Sequence, residues 1–174
     1  MLNSSLWKTG GKAMKYFKAT KDYAEQVYKL VQDTIYTIYP KYYPMPVVKF
    51  FGEHHSLEKI TKDIENGDLG VLLVNENLVG TGSSHENHIT RVFVFPEYQR
   101  QGYGSYIMQQ LEDEIALSFD TAILDASLPS CQLYEKRGYR TTKYEKIALE
   151  EDVFLVYGIM EKSFATKKPT NNDE

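Results

Sequence analysis

The sequence predicts an α/β chain in the loose sense, α+β by strict layer counting, built on one mixed sheet with helices on its faces. Three observations carry this. Apolar runs at 69–74 and 78–83, joined by Asn75-Glu76-Asn77, read as an antiparallel hairpin. A strand-helix-strand unit over 88–126 demands a parallel crossover within the same sheet. The full order reads βααβββαβαββ, without internal repeats.

Lys15 to Ala19 is a short candidate strand, and Thr20 offers a hydroxyl to cap the helix that follows. The apolar positions Tyr23, Val27, Leu30, Val31, Thr34 and Ile35 fall three or four apart until Pro40 ends the pattern. Pro40, Pro44 and Pro46 predict a loop over 36–51, crowded with Tyr36, Tyr39, Tyr42 and Tyr43. A second helix is expected from Ser56 to Asn66, then the hairpin, then a third strand from His88 to Phe95. Tyr103, Ile107, Leu111 and Ile115 stack at four-residue spacing in a helix expected over 102–118. Thr121 to Ala126 reads as a buried strand and Pro129 to Lys136 as a short helix begun by proline, with Gly138 as its stop. Strands over 140–147 and 153–160 complete the order.

At 174 residues, 42% hydrophobic and 25% charged, the chain has length for one core and is short for two. The expected division is a flexible leader over 1–14, one domain over 15–164 and a polar tail over 165–174. Thr9-Gly10-Gly11-Lys12 lacks the preceding strand and wider glycine spacing of a nucleotide loop, and reads as part of the leader. A net charge of -4 argues against a nucleic-acid partner, and no apolar run approaches the ~20 residues of a membrane span. Cys131 is the only cysteine, so no intrachain disulfide forms and a cytoplasmic setting is expected.

Chemistry concentrates at Arg91-Val-Phe-Val-Phe-Pro-Glu-Tyr-Gln-Arg-Gln-Gly-Tyr-Gly-Ser105, where a strand runs through a glycine-containing loop into a helix. The first N–H groups of a helix have no intrahelical acceptor and the macrodipole places partial positive charge there, so such a junction holds a phosphate by backbone alone. Gly102 and Gly104 admit close approach, and Arg100 adds a charged donor. Two other phosphate loops fail on the letters. Gly104-Ser105 has no intervening lysine, and residue 107 is isoleucine where the dinucleotide fingerprint needs its third glycine.

The hexapeptide Gln99-Arg-Gln-Gly102-Tyr-Gly104 resembles the acetyl-CoA loop of the GNAT superfamily: Gln or Arg, two residues, Gly, one residue, Gly or Ala. Leu133-Tyr134-Glu-Lys-Arg-Gly138-Tyr139 is similar to that family's later motif, a short helix ending in Tyr-Glu-Lys, one residue, Gly and an aromatic. The likeness extends over roughly residues 15–162, the first 60 residues matching in element order alone. It implies a mostly antiparallel sheet whose central parallel strands splay apart, with helices on both faces. It implies acetyl-CoA as co-substrate, its pantetheine along Val92, Phe93 and Val94 and its pyrophosphate on Arg100, Gln101, Gly102, Tyr103, Gly104 and Ser105. Ser127 stands where relatives carry an asparagine before the short helix, and joins the cofactor set on that ground.

The same resemblance places Tyr134 where many members carry the tyrosine that protonates the departing thiolate, and Asp125 where some carry a carboxylate proposed as base. A phenol near pKa ~10 is protonated at neutral pH and suits that role. The plain alternatives are a packed aromatic for Tyr134 and a turn-capping carboxylate, toward Ser127 or Ser130, for Asp125. His85, Glu86 and His88 read as a solvated turn, and His54-His55 as loop. No histidine pair has the spacing of a helical metal site, and no metal is expected. Cys131 lacks a neighbouring histidine and reads as a packing residue. The tyrosines of 36–43 wall an acceptor pocket, pack the helix on the sheet, or form a dimer patch. The function implied is transfer of an acetyl group to a small-molecule or peptide amine, by a monomer or homodimer; the alternative is a non-catalytic acyl-CoA-binding or protein-interaction domain.

Overall fold

In the computed structural model, which describes residues 7–9, 12–150 and 152–164, one eight-stranded sheet organises the chain. Its strands are β1 Trp7–Thr9, β2 Lys12–Lys18, β3 Leu69–Val74, β4 Asn77–His85, β5 His88–Val94, β6 Thr121–Ser127, β7 Arg140–Glu150 and β8 Val153–Ser163. They lie in the order β1-β2-β3-β4-β5-β6-β8-β7, and every pairing is antiparallel except that of β5 with β6. The helices are α1 Ala24–Ile38, α2 Met45–His54, α3 Leu57–Glu65, α4 Tyr103–Ile115 and α5 Leu128–Lys136.

Side-chain alternation along β3 separates two layers. Leu69 and Val71 pack with Val27, Leu30 and Val31 of α1, Val48 of α2 and Ile60 of α3. Leu72 and Val74 pack with Ile107, Met108 and Leu111 of α4. This is the mixed, mostly antiparallel sheet with helices on both faces that the sequence predicts. A Cβ built on Gly82 would lie 2.4 Å from Ile107 Cγ2, so the missing side chain lets α4 lie close to the sheet. At its other end α4 is tied down by Glu112, 2% exposed, which accepts from Arg137 Nε at 2.8 Å and Lys162 Nζ at 2.9 Å. Arg137 follows α5, so the second sequence motif is clamped to the helix that begins at the first.

Turn chemistry follows the letters at three points. Asn75 and Glu76 take φ of 49° and 65° between the paired residues Val74 and Asn77, a two-residue hairpin turn of the primed kind. Ser56 accepts from the Lys59 N–H at 3.3 Å and caps α3. Gly138, at φ 97°, ends α5, with Tyr139 N–H donating to the Tyr134 carbonyl and Gly138 N–H to that of Glu135.

Three expectations need correction. The loop predicted over 36–51 contains α2, because Pro46 falls in the first turn of that helix, where a missing N–H costs nothing. The leader predicted over 1–14 contains β1, with Trp7 paired to Met14 and Thr9 to Lys12, and β2 begins three residues before Lys15. Gly10-Gly11, a two-residue hairpin separator, is the signal for it in the sequence; those glycines and the tail over 165–174 lie outside the described residues. Thr20 makes no side-chain cap, since a 3-10 turn over Lys21–Tyr23 intervenes before α1. No helix of the described residues is long and apolar enough to cross a membrane.

Candidate active site

β5 and β6 pair only at His88 with Ile123 and Ile89 with Leu124, and beyond those two pairs they part. Both strands run the same way, so the opening lies at their carboxyl ends, where α4 and α5 begin. A register shift opposite Ser83 and Ser84 leaves Thr90 as an extra residue in β5. It reverses the phase of the strand. Ile89 faces α4, as Val94 does, while Phe93 beyond the bulge faces the α1–α3 layer.

Backbone direction along β5 follows from one bond. Phe95 N–H donates to the Val79 carbonyl at 3.0 Å, so residues 93 and 95 point their polar groups at β4, and Val92 and Val94 point theirs into the opening. Phe93 therefore offers its ring rather than its backbone, in edge contact with His55 at 5.2 Å between centroids. The Val94 carbonyl accepts from Gln99 Nε2 at 3.0 Å, which pins the glycine loop to the strand end.

At the start of α4 the backbone is open. After the short turn Pro96–Tyr98, Arg100 takes φ 61° and Gly102 φ 85°, and the helical ladder opens with Tyr106 N–H donating to the Gly102 carbonyl at 3.0 Å. Arg100 in the left-handed region costs about 1–2 kcal/mol, a strain found where local structure serves a site. Gln101, Gly102 and Ser105 are exposed, and a Cβ on Gly104 would meet only Val94 Cγ2, at 3.9 Å. Tyr103 is 5% exposed with its ring in the α4 core, so its contribution here is backbone alone. Open backbone at a helix start, beside an arginine, fits a pyrophosphate.

On the α1–α3 face the opening contains a cavity of ≈120 Å³. Leu124 and Ala126 of β6 are buried toward α4, so Asp125 and Ser127 face this side, and both line the cavity with Tyr134 and Ser130 of α5. Asp125 Oδ2 lies 3.4 Å from His88 Nε2, both side chains nearly half-exposed. Among the described residues Asp125 makes no hydrogen bond to Ser127 or Ser130, which bond each other at 2.8 Å. Burial pushes the Tyr134 phenol up to about 12, and its ring stands edge-on to Tyr139 at 5.9 Å. A hollow of ≈730 Å³ beside β7 shares no residue with this cavity or the cradle.

The tyrosine-rich stretch divides its labour. Tyr39 lines the cavity and packs edge-on to Phe51 at 4.9 Å, while Tyr36 and Tyr42 are exposed. Tyr43 is half-buried, its hydroxyl near Ser127 and Leu128 but outside hydrogen-bond geometry. Cys131 donates weakly to the Ser127 carbonyl at 3.6 Å and burial raises its thiol, which leaves it a packing group.

The association of two lining residues was invisible in the letters. His55 and Arg91 are 7% and 5% exposed, joined by Arg91 Nε donating to His55 Nδ1 at 3.3 Å, and Arg91 Nη1 also pairs with Asp63. His55 and Arg91 are 36 positions apart, so no local pattern announces the pair. Burial, and then Arg91, holds His55 well below its ordinary 6.5. Below about pH 6.5 the unfolded chain takes up a proton that folded His55 refuses, so stability falls as pH falls. Between pH 7.5 and 5.5 wild type should lose more stability in urea unfolding than His55→Gln, by an amount on the order of 1 kcal/mol. Equal losses would remove His55 as the cause.

The family model described as "Acetyltransferase (GNAT) domain" matches residues 20–151. The catalytic subunit NAA20 of the N-terminal acetyltransferase B complex of Arabidopsis thaliana is 32% identical over 108 residues, covering 55% of this chain and 62% of that protein. The uncharacterized N-acetyltransferase YafP of Escherichia coli is 30% identical over 93 residues, 52% of this chain and 55% of that protein. The chain thus spans only about 55–62% of the length of these curated relatives. Among solved structures, a GCN5-related N-acetyltransferase from Rhodopseudomonas palustris superposes with a TM-score of 0.76 at 18% identity, over 86% of this chain and 94% of that one. PaiA N-acetyltransferase from Thermoplasma acidophilum, solved with coenzyme A, gives 0.68 at 17% identity, over 87% and 99%.

Proposed function

Since the chain belongs to the GNAT acetyltransferase family, we propose that it moves an acetyl group from acetyl-CoA to a primary amine by direct attack through a tetrahedral intermediate. The observation that supports this most is the opening between β5 and β6, with a phosphate-fitting helix start on one side and a cavity holding a carboxylate and a phenol on the other. Val92 and Val94 would bind pantetheine amides, and the helix start with Arg100 would hold the pyrophosphate. Held on two sides of one opening, the substrates react with little orientational entropy left to lose.

The amine nitrogen attacks the thioester carbonyl carbon, the carbon–sulfur bond breaks, and the sulfur leaves as a thiolate. An ammonium has no lone pair, so a proton must leave first; in this reading Asp125 accepts it, directly or through water. Tyr134 hydrogen-bonds the departing thiolate and supplies its proton, and the second proton, lost by the nitrogen as the amide forms, returns to the phenolate through water. Ser127 joins the acceptor-side wall in this reading, because its hydroxyl is shared with Ser130. A lone, partly buried cysteine suits a cytoplasmic setting.

Coenzyme A release from acetyl-CoA across a panel of primary amines tests the proposal. Amine-dependent release is expected, and Asp125→Asn should lower it most at acidic pH, where less free amine is available. Binding of acetyl-CoA with no release by any amine would favour the alternative, a module that binds acyl-CoA without turnover.

A further inference from the structure

The deep wall of the cavity presents donors without acceptors. Arg91 uses Nε on His55 Nδ1 and Nη1 on Asp63 and on Ser83 Oγ, the last at 3.1 Å. A neutral imidazole that accepts at Nδ1 carries its proton on Nε2. Burial keeps His55 neutral. Among the described residues, no acceptor is hydrogen-bonded to His55 Nε2 or to Arg91 Nη2, although both residues are more than nine-tenths buried and line the cavity.

A donor that lines a cavity without a protein acceptor is left to water or to a ligand. Two of them in one wall are complementary to a group that only accepts. An ammonium or an amide NH₂ would set donor against donor, whereas a carboxylate presents oxygens alone and also meets the Arg91 charge. Asp63 offsets part of that charge but is not in the wall, so the cavity meets the guanidinium first. Across the opening, Asp125 on β6 supplies the opposite sign. The volume, ≈120 Å³, equals about four waters at the ~30 Å³ each fills in the liquid. That is room for a carboxylate on a short arm.

We propose that Arg91 and His55 form a carboxylate subsite, and that the acceptor is a small amino carboxylate, its amine toward Asp125 and its carboxylate on the Arg91–His55 wall. The word acceptor rests on the acetyl-transfer reading; the binding of a carboxylate does not.

Two readouts separate these. In the first, N-acetylglycine and N-acetyl-β-alanine, and their methylamides, are titrated into protein carrying ¹⁵N-labelled histidine, with coenzyme A present. The carboxylates should move the His55 imidazole signals and the methylamides should not. In the second, coenzyme A release is compared for glycine, β-alanine and glutamate against the same amines as methylamides. The carboxylates should be preferred by about tenfold or more in kcat/KM, the scale of one charge-assisted hydrogen bond. In His55→Phe and Arg91→Lys that ratio should fall toward one, chiefly through KM. Methylamides turned over as well as carboxylates, or His55 signals unmoved by every carboxylate, would overturn the subsite. If no amine releases coenzyme A while the carboxylates still move His55, acetyl transfer fails and the subsite stands.

Discussion

Gly104→Val is expected to abolish acetyl-CoA binding while leaving the fold intact. The residue is in the first turn of α4, and its missing side chain leaves the helix's open N–H groups reachable from outside. A Cβ there meets only Val94 Cγ2, at the ordinary contact distance of 3.9 Å, so the unliganded protein has room for a side chain to start there. Helix propensity does not oppose it either, since valine in a helix is no worse than glycine. The cost falls on the ligand, whose pyrophosphate would meet methyl groups where it needs backbone. Calorimetry should show the Kd rising from micromolar order to about millimolar or weaker, at least ~4 kcal/mol, with an unchanged melting temperature. Unchanged affinity would remove the helix start as the cofactor site. Gly102→Ala is the less clean experiment, because φ of 85° at Gly102 strains any L side chain by about 1–2 kcal/mol and mixes stability with binding.

Tyr134→Phe should lower turnover by at least about tenfold and by as much as about a thousandfold, with acetyl-CoA affinity and stability retained. The ring keeps its edge contact with Tyr139, and only the hydroxyl is lost. Raised to about 12 by burial, that hydroxyl stays protonated at every pH where the protein would be assayed. Full transfer to an aqueous thiolate of pKa about 8.5 would be uphill by roughly 5 kcal/mol. A thiolate expelled into the same dry site is raised by the same desolvation, which closes much of that gap. Hydrogen-bond donation to developing charge is therefore the first benefit lost. Intact turnover with a good acceptor would return Tyr134 to packing. A parallel collapse of affinity and melting temperature would make the hydroxyl structural.

The legibility of the site tracks how local its causes are. The stretch from Val94 to Gly104 is readable as a phosphate-fitting junction because eleven consecutive residues hold every ingredient: strand end, glycines, arginine, helix start. The stop at Gly138 and the cap at Ser56 are readable for the same reason. α2 is harder, since Pro44 and Pro46 signal a break and only the first-turn placement of Pro46 converts that break into a start. β1 is a three-residue strand whose pairing depends on an edge that β2 offers, and three residues carry no periodicity.

By itself, the sequence determined the order of the elements from α3 onward, the parallel crossover over 88–126, the two motifs and thereby the family, because periodicity, turn residues and fixed spacings act within a few residues of one another. The tertiary structure alone decided which side chains meet. The bulge at Thr90 reverses the phase of β5, so whether a residue beyond it faces α4 or the cavity cannot be read by counting from His88. His88 beside Asp125, and His55 beside Arg91, are brought together across 37 and 36 positions by strand pairing and by α2 folding back over the sheet. The physical reason is one of range: backbone preference and hydrophobic period are written residue by residue, whereas a shared cavity exists only after long-range pairing and the burial of two separate faces have fixed where distant side chains stand.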